Sequence, residues 1–304
     1  MGRQPVQIAD PHHHLWDLEK HHYPWLAKPV DHFAGDYSSI RRTYLVKDFL
    51  KDALPAGIVK SVHLQAEFDH TQDPAKETEW LQGVHDSPGS KGLPTAVVGY
   101  ADFSAPDVER VLARHAAFPT MRGIRQILNW SADRPELRFI GRGDLMGDRK
   151  WRAGYRLLAR FGMSFDMQVW PWQLAEAAAL AQEIPEVPMI LNHTGLPIRR
   201  DRDGIEEWRK GMRALAAVPH VNVKISGLGM FQRSFKADDI KPFVLDTIET
   251  FGVGRSMFAS NFPVDSLASS YVHLWECYDA ITARFPAGER SRLFHDNAVR
   301  IYRL

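Results

Sequence analysis

The strongest constraint on the fold is a regular alternation of two kinds of segment along the 304-residue chain. Short runs of β-branched and apolar residues recur, and between them apolar residues return every three or four positions, which is the period of a helix. Because parallel strands need a long crossover connection, this alternation predicts a parallel sheet covered by helices. The eight strand-like runs span residues 6–13, 57–68, 93–103, 121–128, 163–170, 187–195, 221–229 and 256–263.

Eight strand–helix units in about 300 residues are what a (β/α)8 barrel needs, so we expect residues 1–304 to form a single barrel domain. A doubly wound open sheet is the alternative, but it usually carries a glycine-rich phosphate-binding turn after its first strand. Here the stretch HHHLWD occupies that place. Residues 15–56 form an insertion rich in His, Trp, Tyr and Pro. Because the insertion follows the first strand, we expect it to lie over the barrel mouth.

The composition narrows the classes of partner. A formal net charge of +1 gives no electrostatic reason to expect nucleic acid or a membrane surface as a partner. No apolar run of 18 residues and no signal-peptide pattern occur, so we expect a cytoplasmic protein that acts on a small molecule. The single cysteine, Cys277, excludes an intramolecular disulfide and any multi-cysteine metal site. Nothing in the sequence specifies an oligomeric state.

Polar residues stand where the predicted strands end. The first strand runs into DPHHHLWD, and because strand side chains alternate between faces, Asp10, His12 and His14 should share one face. Burying polar side chains in a barrel costs desolvation energy, and a purely structural barrel has no need of such side chains. The pattern therefore predicts an active site. The other strand ends carry His63, Gln65 and Glu67, Arg125, Asp166, Gln168 and Trp170, Asn192 and His193, Lys224 and Ser226, and Asn261 with Asp265.

Five stretches together resemble the amidohydrolase superfamily: DPHHH, GIRQIL, ILNHTGLP, VKISGLG and FASNFPVD. Within the superfamily, the chain is similar over nearly its whole length to the lactonase branch, which contains 2-pyrone-4,6-dicarboxylate lactonase, L-fuconolactonase and L-rhamnonolactonase. The resemblance implies a hydrolase that opens a lactone, a cyclic ester, of a sugar acid or an aromatic-derived carboxylate. Water would attack the lactone carbonyl.

The resemblance also implies a set of metal-ligand positions. His12, His14 and His193 map onto histidines that hold a divalent metal in the wider superfamily. They could hold one Zn²⁺ or Mn²⁺ with an open position. The lactonase branch also has members that need no metal, in which such histidines polarise the carbonyl directly, and both readings stay open. The fifth strand carries Asp166 and Gln168 and no histidine, so the usual binuclear site cannot form.

The general base departs from the superfamily pattern. The strand-eight motif of the superfamily usually reads Ser-Asp-Trp-Pro, but here Asn261 replaces the aspartate, and an amide cannot take a proton. The base is then Asp265 or His193, or the chemistry differs. Asp265 could equally cap the next helix, because DSLASS is good N-cap sequence. The predicted catalytic residues are thus His12, His14, His193, Asn261 and Asp265.

Substrate binding is expected of the remaining polar residues. Arg125 should aim its planar guanidinium at a substrate carboxylate or a developing oxyanion, unless a salt bridge to Asp166 or Glu67 occupies it. Two other functions stay open: a metal-dependent decarboxylase or amide hydrolase, and a catalytically silent barrel that binds a carboxylate or a sugar acid. An aromatic wall and lid are expected from Trp16, Trp25, Trp170 and Trp172. The other predicted binding residues are Gln65, Gln168, Asn192 and Lys224.

Overall fold

The fold is a (β/α)8 barrel, as the sequence predicts. The computed structural model describes residues 6–30, 33–232 and 235–304. Eight parallel strands form one sheet in chain order, each paired with the next along the chain. The strands are β1 Ile8–His13, β2 Ile58–Leu64, β3 Ala96–Gly99, β4 Met121–Ile124, β5 Ser164–Met167, β6 Met189–Leu191, β7 Val221–Ile225 and β8 Ser256–Phe258.

Helices follow the strands and cover the outside of the barrel. Two of the longer ones begin at an aspartate cap: Asp148 accepts hydrogen bonds from the backbone amides of Lys150 and Trp151, and Asp201 accepts one from Gly204. The helices are α1 Pro24–Ala27, α2 Val46–Ala53, α3 Ala75–Asp86, α4 Val108–Ala116, α5 Arg149–Arg160, α6 Leu174–Glu183, α7 Arg202–Ala216, α8 Ala237–Phe251, α9 Tyr271–Ile281, α10 Ala287–Ser291 and α11 Asn297–Tyr302.

Two hydrophobic layers hold the barrel together. The larger one lies between the strands and the helices and includes most of the buried aromatic residues. A smaller cluster fills the inside of the barrel with side chains such as Ala9, Leu64 and Ile190, and α11 adds Tyr302 to it. Strand residues alternate between the two layers, as parallel strands covered on both faces require.

The barrel closes through the segment that follows β8. The backbone amide of His14 donates to the carbonyl of Phe262 at 2.7 Å, and the amide of Asn261 donates to the carbonyl of His12 at 2.8 Å. These bonds join the C-terminal end of β1 to the FASNFP stretch. The closure therefore brings the first-strand histidines beside Asn261, although their positions are about 250 residues apart in the chain.

The strands are shorter than the runs read from the sequence. The run at 93–103, for example, contains only four strand residues, Ala96–Gly99. The residues of this run that follow Gly99 leave the ladder on the side of the barrel mouth, and those before Ala96 precede the strand. Cys277 is buried on α9, as expected. No helix in the described ranges is long and apolar enough to cross a membrane.

Candidate active site

A cavity of about 580 Å³ opens at the C-terminal ends of the strands. The insertion after β1 contributes Pro24, Trp25, Val30 and Phe33 to its wall, so the expectation that this segment covers the barrel mouth is confirmed. Of the predicted catalytic and binding residues, only some line the cavity. Those that do are His14, Arg125, Gln168, His193 and Asn261.

An irregularity in β1 separates Asp10 from the histidines. The pairing register with β2 shifts between Asp10 and His13, as in a β-bulge. Asp10 therefore turns towards α9, where its carboxylate accepts hydrogen bonds from Ser260 Oγ at 2.5 Å and from Tyr271 at 3.0 Å. The prediction that Asp10 shares a face with His12 and His14 was wrong, because strict alternation fails at the bulge.

His14 has a defined tautomer. Its Nδ1 lies 2.8 Å from the backbone carbonyl of Leu64. A carbonyl only accepts, so Nδ1 carries the proton and Nε2 presents a lone pair to the cavity. Burial, and next the nearby charge of Arg125, lower the pKa of His14 well below its ordinary value of 6.5. The ring is therefore neutral at pH 7, and Nε2 can accept a proton.

His193 also lies beside His12, as His14 does. Its Nδ1 is 3.1 Å from Ser226 Oγ, and its ring centroid is 4.4 Å from that of His12. The backbone of His193 is left-handed, with φ of 54°, a conformation that non-glycine residues adopt at an energetic cost. Asn261, with φ of 57°, is strained in the same way. Strained residues that line a cavity are typical of functional sites.

His12 lies beneath the cavity, against a buried ion pair. Lys224 Nζ is 2.5 Å from Asp166 Oδ1 and 3.5 Å from His12 Nδ1, and all three side chains are buried. An ammonium group only donates, so His12 Nδ1 is the acceptor and Nε2 holds the ring proton. Burial lowers the pKa of Lys224 to about 8, and the charge of Asp166 opposes the fall. Lys224 does not line the cavity, and its amine contacts Asp166 and His12, so a contact with substrate stays a prediction.

The three histidines do not fit as a metal-ligand set in this arrangement. A ligating nitrogen must be unprotonated, and each ring nitrogen of His12 is either paired with Lys224 or protonated. The cationic Lys224 and Arg125 also stand beside the place where a metal would sit. In the part of the chain that the structure describes, no group of three or more His, Cys, Asp or Glu side chains has the arrangement of a metal site.

Asp265 is held behind Asn261 rather than at the cavity. The Asn261 amide Nδ2 donates to Asp265 Oδ1 at 2.9 Å, and Asp265 is fully buried. Burial raises the pKa of Asp265 to about 7, and the hydrogen bond from Asn261 opposes the rise. The alternative of a helix cap was wrong, because Ser270 caps α9 by accepting from the amide of His273. Asp265 thus supports the Asn261 side chain.

Arg125 reaches the cavity floor from the end of β4. One terminal nitrogen donates to Gln168 Oε1 at 3.1 Å and the other to the carbonyl of Gln65 at 2.5 Å. Among the described residues, Arg125 forms no ion pair, so the salt bridge to Asp166 or Glu67 is absent and Nε has no partner. The guanidinium is fully buried, and its charge is directed at the site.

Gln65 does not line the cavity but braces a residue that does. Its amide nitrogen donates to Glu67 Oε1 at 2.6 Å, and its Oε1 accepts from the Glu67 backbone amide. His63 points outside the barrel, where it meets the ring of His13 edge-on. The expectation that His63, Gln65 and Glu67 share one face was therefore wrong, because the strand ends at Leu64 and Glu67 adopts φ of 57°.

Two other predicted binding residues also lie outside the cavity wall. Trp170 is buried and donates its indole N–H to the carbonyl of Leu137 at 2.8 Å. Asn192 is buried too, and both of its amide atoms lack a partner among the described residues. Of the four tryptophans expected to form a wall and lid, Trp25 lines the cavity, whereas Trp16 is fully buried.

The sequence reading missed most of the apolar wall. The long connection between β4 and α5 contributes Glu136, Arg138 and Phe139 to the cavity. The connection contains only two short 3-10 turns, Pro135–Leu137 and Leu145–Gly147, and a long connection of this kind is a signal of function in a barrel. The other apolar wall residues that were missed are Val30, Phe33, Phe68, Ile127, Met230 and Val264.

Comparison with known proteins agrees with the barrel and identifies the family of the chain. The profile of the amidohydrolase family matches residues 9–304. The chain belongs to the amidohydrolase family. One relative of this amidohydrolase, the uncharacterized protein y4mH of Sinorhizobium fredii, is 47% identical over 303 residues, which cover 98% of the chain and 99% of y4mH.

Two further relatives of this amidohydrolase come from Burkholderia multivorans. The L-fucono-1,5-lactonase of that organism is 29% identical over 307 residues, covering 97% of the chain and 95% of the lactonase. The crystal structure of an amidohydrolase from the same organism, with bound zinc, has a TM-score of 0.80 and 27% sequence identity. It covers 98% of this chain and 100% of its own.

Proposed function

We propose that this amidohydrolase opens a lactone by adding water to the ester carbonyl. The observation that carries the proposal is the pairing of two groups at the cavity floor: the unprotonated Nε2 of His14 and the buried guanidinium of Arg125. The first can accept a proton from water, and the second can stabilise the charge that develops on the carbonyl oxygen. Each of these two contributions lowers the barrier to ester hydrolysis.

In the proposed reaction, the water oxygen bonds to the carbonyl carbon while His14 Nε2 takes the water proton. The resulting oxyanion lies against Arg125. The bond from the carbonyl carbon to the ring oxygen then breaks, and His14 returns its proton to that oxygen. The product is the open hydroxy acid, whose atoms are those of the lactone and one water.

Asn261 and His193 complete the proposed site. The Asn261 amide group is oriented by Asp265, so its oxygen is available to accept a hydrogen bond from the attacking water. Burial, and next Arg125, lower the pKa of His193 well below 6.5, so its neutral ring can bind the ester without adding charge. His12 and Asp265 act from behind as positioning residues.

Two findings support a lactone over other substrates of the family. A relative that matches nearly the whole chain is named L-fucono-1,5-lactonase. The site also contains its own proton acceptor and its own cation, so the proposed reaction runs without Zn²⁺ or Mn²⁺. A metal-dependent decarboxylase or amide hydrolase would require a ligand set that the three histidines do not form here.

The test is acid release from δ-valerolactone by the wild-type protein and by His14→Gln. Loss of the base should lower kcat by about 10²- to 10⁴-fold. His295→Gln is the matched control, because His295 does not line the cavity and its ring pairs with Asp296 beside α11. Equal turnover by the two variants would overturn the assignment of His14. No turnover of any lactone by the wild type would overturn the function.

A further inference from the structure

The outer part of the cavity has an apolar wall. Phe33, Phe68 and Phe139 contribute to it with Val30 and Met230. Two wall residues, Val30 and Phe139, are also large hydrophobic side chains exposed to solvent, with exposed fractions of 47% and 38%. Exposed apolar residues grouped at the mouth of a cavity are typical of a surface that a ligand covers.

The polar groups in this outer part are engaged by the protein itself. Trp25 donates its indole N–H to the carbonyl of Ala66 at 2.9 Å, so the wall of the cavity receives only its ring. Asp69 accepts from Thr71 Oγ1 at 2.7 Å and pairs with His22 at 2.9 Å.

The charged residues near β4 are engaged in the same way. Arg138 donates from Nε to the carbonyl of Ser131 at 2.7 Å, and Glu136 pairs with Arg134 at 2.9 Å. The charged residues of the outer wall therefore already have partners within the protein, and the rest of the described outer wall is largely apolar. A sugar lactone bound there would place hydroxyl groups against apolar side chains, where hydrogen bonds to water are lost, and this disfavours its binding.

The charges of the wall also disfavour a substrate with several carboxylates. The described lining residues include three carboxylates and two guanidinium groups. The carboxylates are Glu67, Asp69 and Glu136. Such a wall does not concentrate a dianion, which would require an excess of cations.

We propose that the substrates of this site are neutral lactones whose ring carries an apolar or aromatic substituent. This inference rests on the proposed lactone hydrolysis. The ester group occupies the polar floor at His14 and Arg125, and the substituent extends along the wall to Phe139 and Val30 at the mouth. Polyhydroxylated lactones and lactone dicarboxylates are poor substrates.

The experiment compares kcat/KM for four compounds: δ-valerolactone, 6-phenyl-δ-valerolactone, L-fucono-1,5-lactone and 2-pyrone-4,6-dicarboxylate. The phenyl compound should exceed unsubstituted δ-valerolactone by at least tenfold and the other two by more. Equal values for all four compounds, or a preference for the sugar lactone or the dicarboxylate, would overturn the inference and leave lactone hydrolysis intact. Turnover of none of them would contradict the proposed function itself.

Two variants localise the substituent. Phe139→Ala should lower the ratio of kcat/KM for the phenyl compound over δ-valerolactone by about tenfold, because the ring loses its apolar contact. Val30→Ser should lower the same ratio, because Val30 lines the cavity from the insertion after β1. Val59→Ala is the control, because Val59 is similarly exposed, at 45%, but does not line the cavity. An unchanged ratio in both cavity variants would contradict the assigned position of the substituent.

Discussion

Asn261 donates a hydrogen bond to the buried carboxyl group of Asp265 at 2.9 Å, and the amide stands between that carboxyl group and the cavity. The segment at the end of β8 thus keeps a carboxyl group, but the Asn261 side chain separates this group from the cavity. Since burial raises the pKa of Asp265 to about 7, much of it is protonated at neutral pH. This relationship moves the role of general base to a group that faces the cavity, which we propose is His14.

The first prediction concerns this change of base. Asp265→Asn should keep kcat for δ-valerolactone within about tenfold of wild type, because the residue only orients Asn261. The measurement is the pH profile of kcat for Asp265→Asn beside that of His14→Gln. A 10²- to 10⁴-fold loss in Asp265→Asn, of the size expected for a missing general base, would return the role to Asp265.

The second prediction concerns Arg125. Its two terminal nitrogens bind Gln168 and the Gln65 carbonyl as a fork, which a lysine cannot reproduce. Arg125→Lys should therefore lower kcat by about 10²-fold, close to the loss in Arg125→Met. Steady-state kinetics with δ-valerolactone measures both variants. Near wild-type kcat in Arg125→Lys would show that only the charge matters.

The third prediction uses the glycine that packs against His193. Gly227 has φ of 68°, and a Cβ there would lie 2.7 Å from His193 Nδ1. Gly227→Ala should lower the free energy of unfolding by at least about 1 kcal/mol and also displace His193, with loss of activity. Gly57→Ala is the control, because Gly57 has φ of 89° and no atom within 4 Å of its Cβ. The control should lose stability alone, and equal activity losses in the two variants would contradict the role of His193.

The fourth prediction concerns pH and stability. Glu77 is buried on α3, and burial raises its pKa from 4.5 to about 8. A folded-state pKa above the unfolded value stabilises the fold below pH 4.5, and this contribution is lost as pH rises towards 8. Wild type should therefore lose on the order of 3 to 5 kcal/mol relative to Glu77→Gln across that range.

Urea unfolding between pH 4.5 and 8 measures this difference. Glu79→Gln is the matched control, because Glu79 is exposed on the same helix and should follow wild type at every pH. If the wild type and Glu77→Gln keep a constant difference across the range, the pKa of Glu77 is the same in the folded and unfolded states, and the prediction is wrong.

The barrel could be predicted because each of its eight units repeats the same physical signal. A buried strand has a short run of apolar residues, and an amphipathic helix has apolar residues at every third or fourth position. Neither pattern depends on residues that are distant in the chain. The position of the cavity followed from the fold, since the ends of parallel strands converge. His14, Arg125, Gln168, His193 and Asn261 were therefore predicted to lie near one another.

The parts that could not be predicted depend on local backbone geometry. The bulge in β1 turns Asp10 towards Tyr271, and no sequence period records such a shift. Glu67 leaves the strand direction through a left-handed backbone, and its carboxylate accepts a hydrogen bond from the Gln65 amide. The tautomer of His12 depends on Lys224, which is 212 residues away in the chain.

The central claim is that the cavity floor hydrolyses a lactone with its own side chains. The most direct measurement is acid release from δ-valerolactone and its 6-phenyl derivative by protein stripped of metal with a chelator, with and without added Zn²⁺ or Mn²⁺. Our account predicts full turnover by the metal-free protein and no gain on adding either ion. Activity that disappears with the chelator and returns with the metal would contradict it and make His12, His14 and His193 ligands.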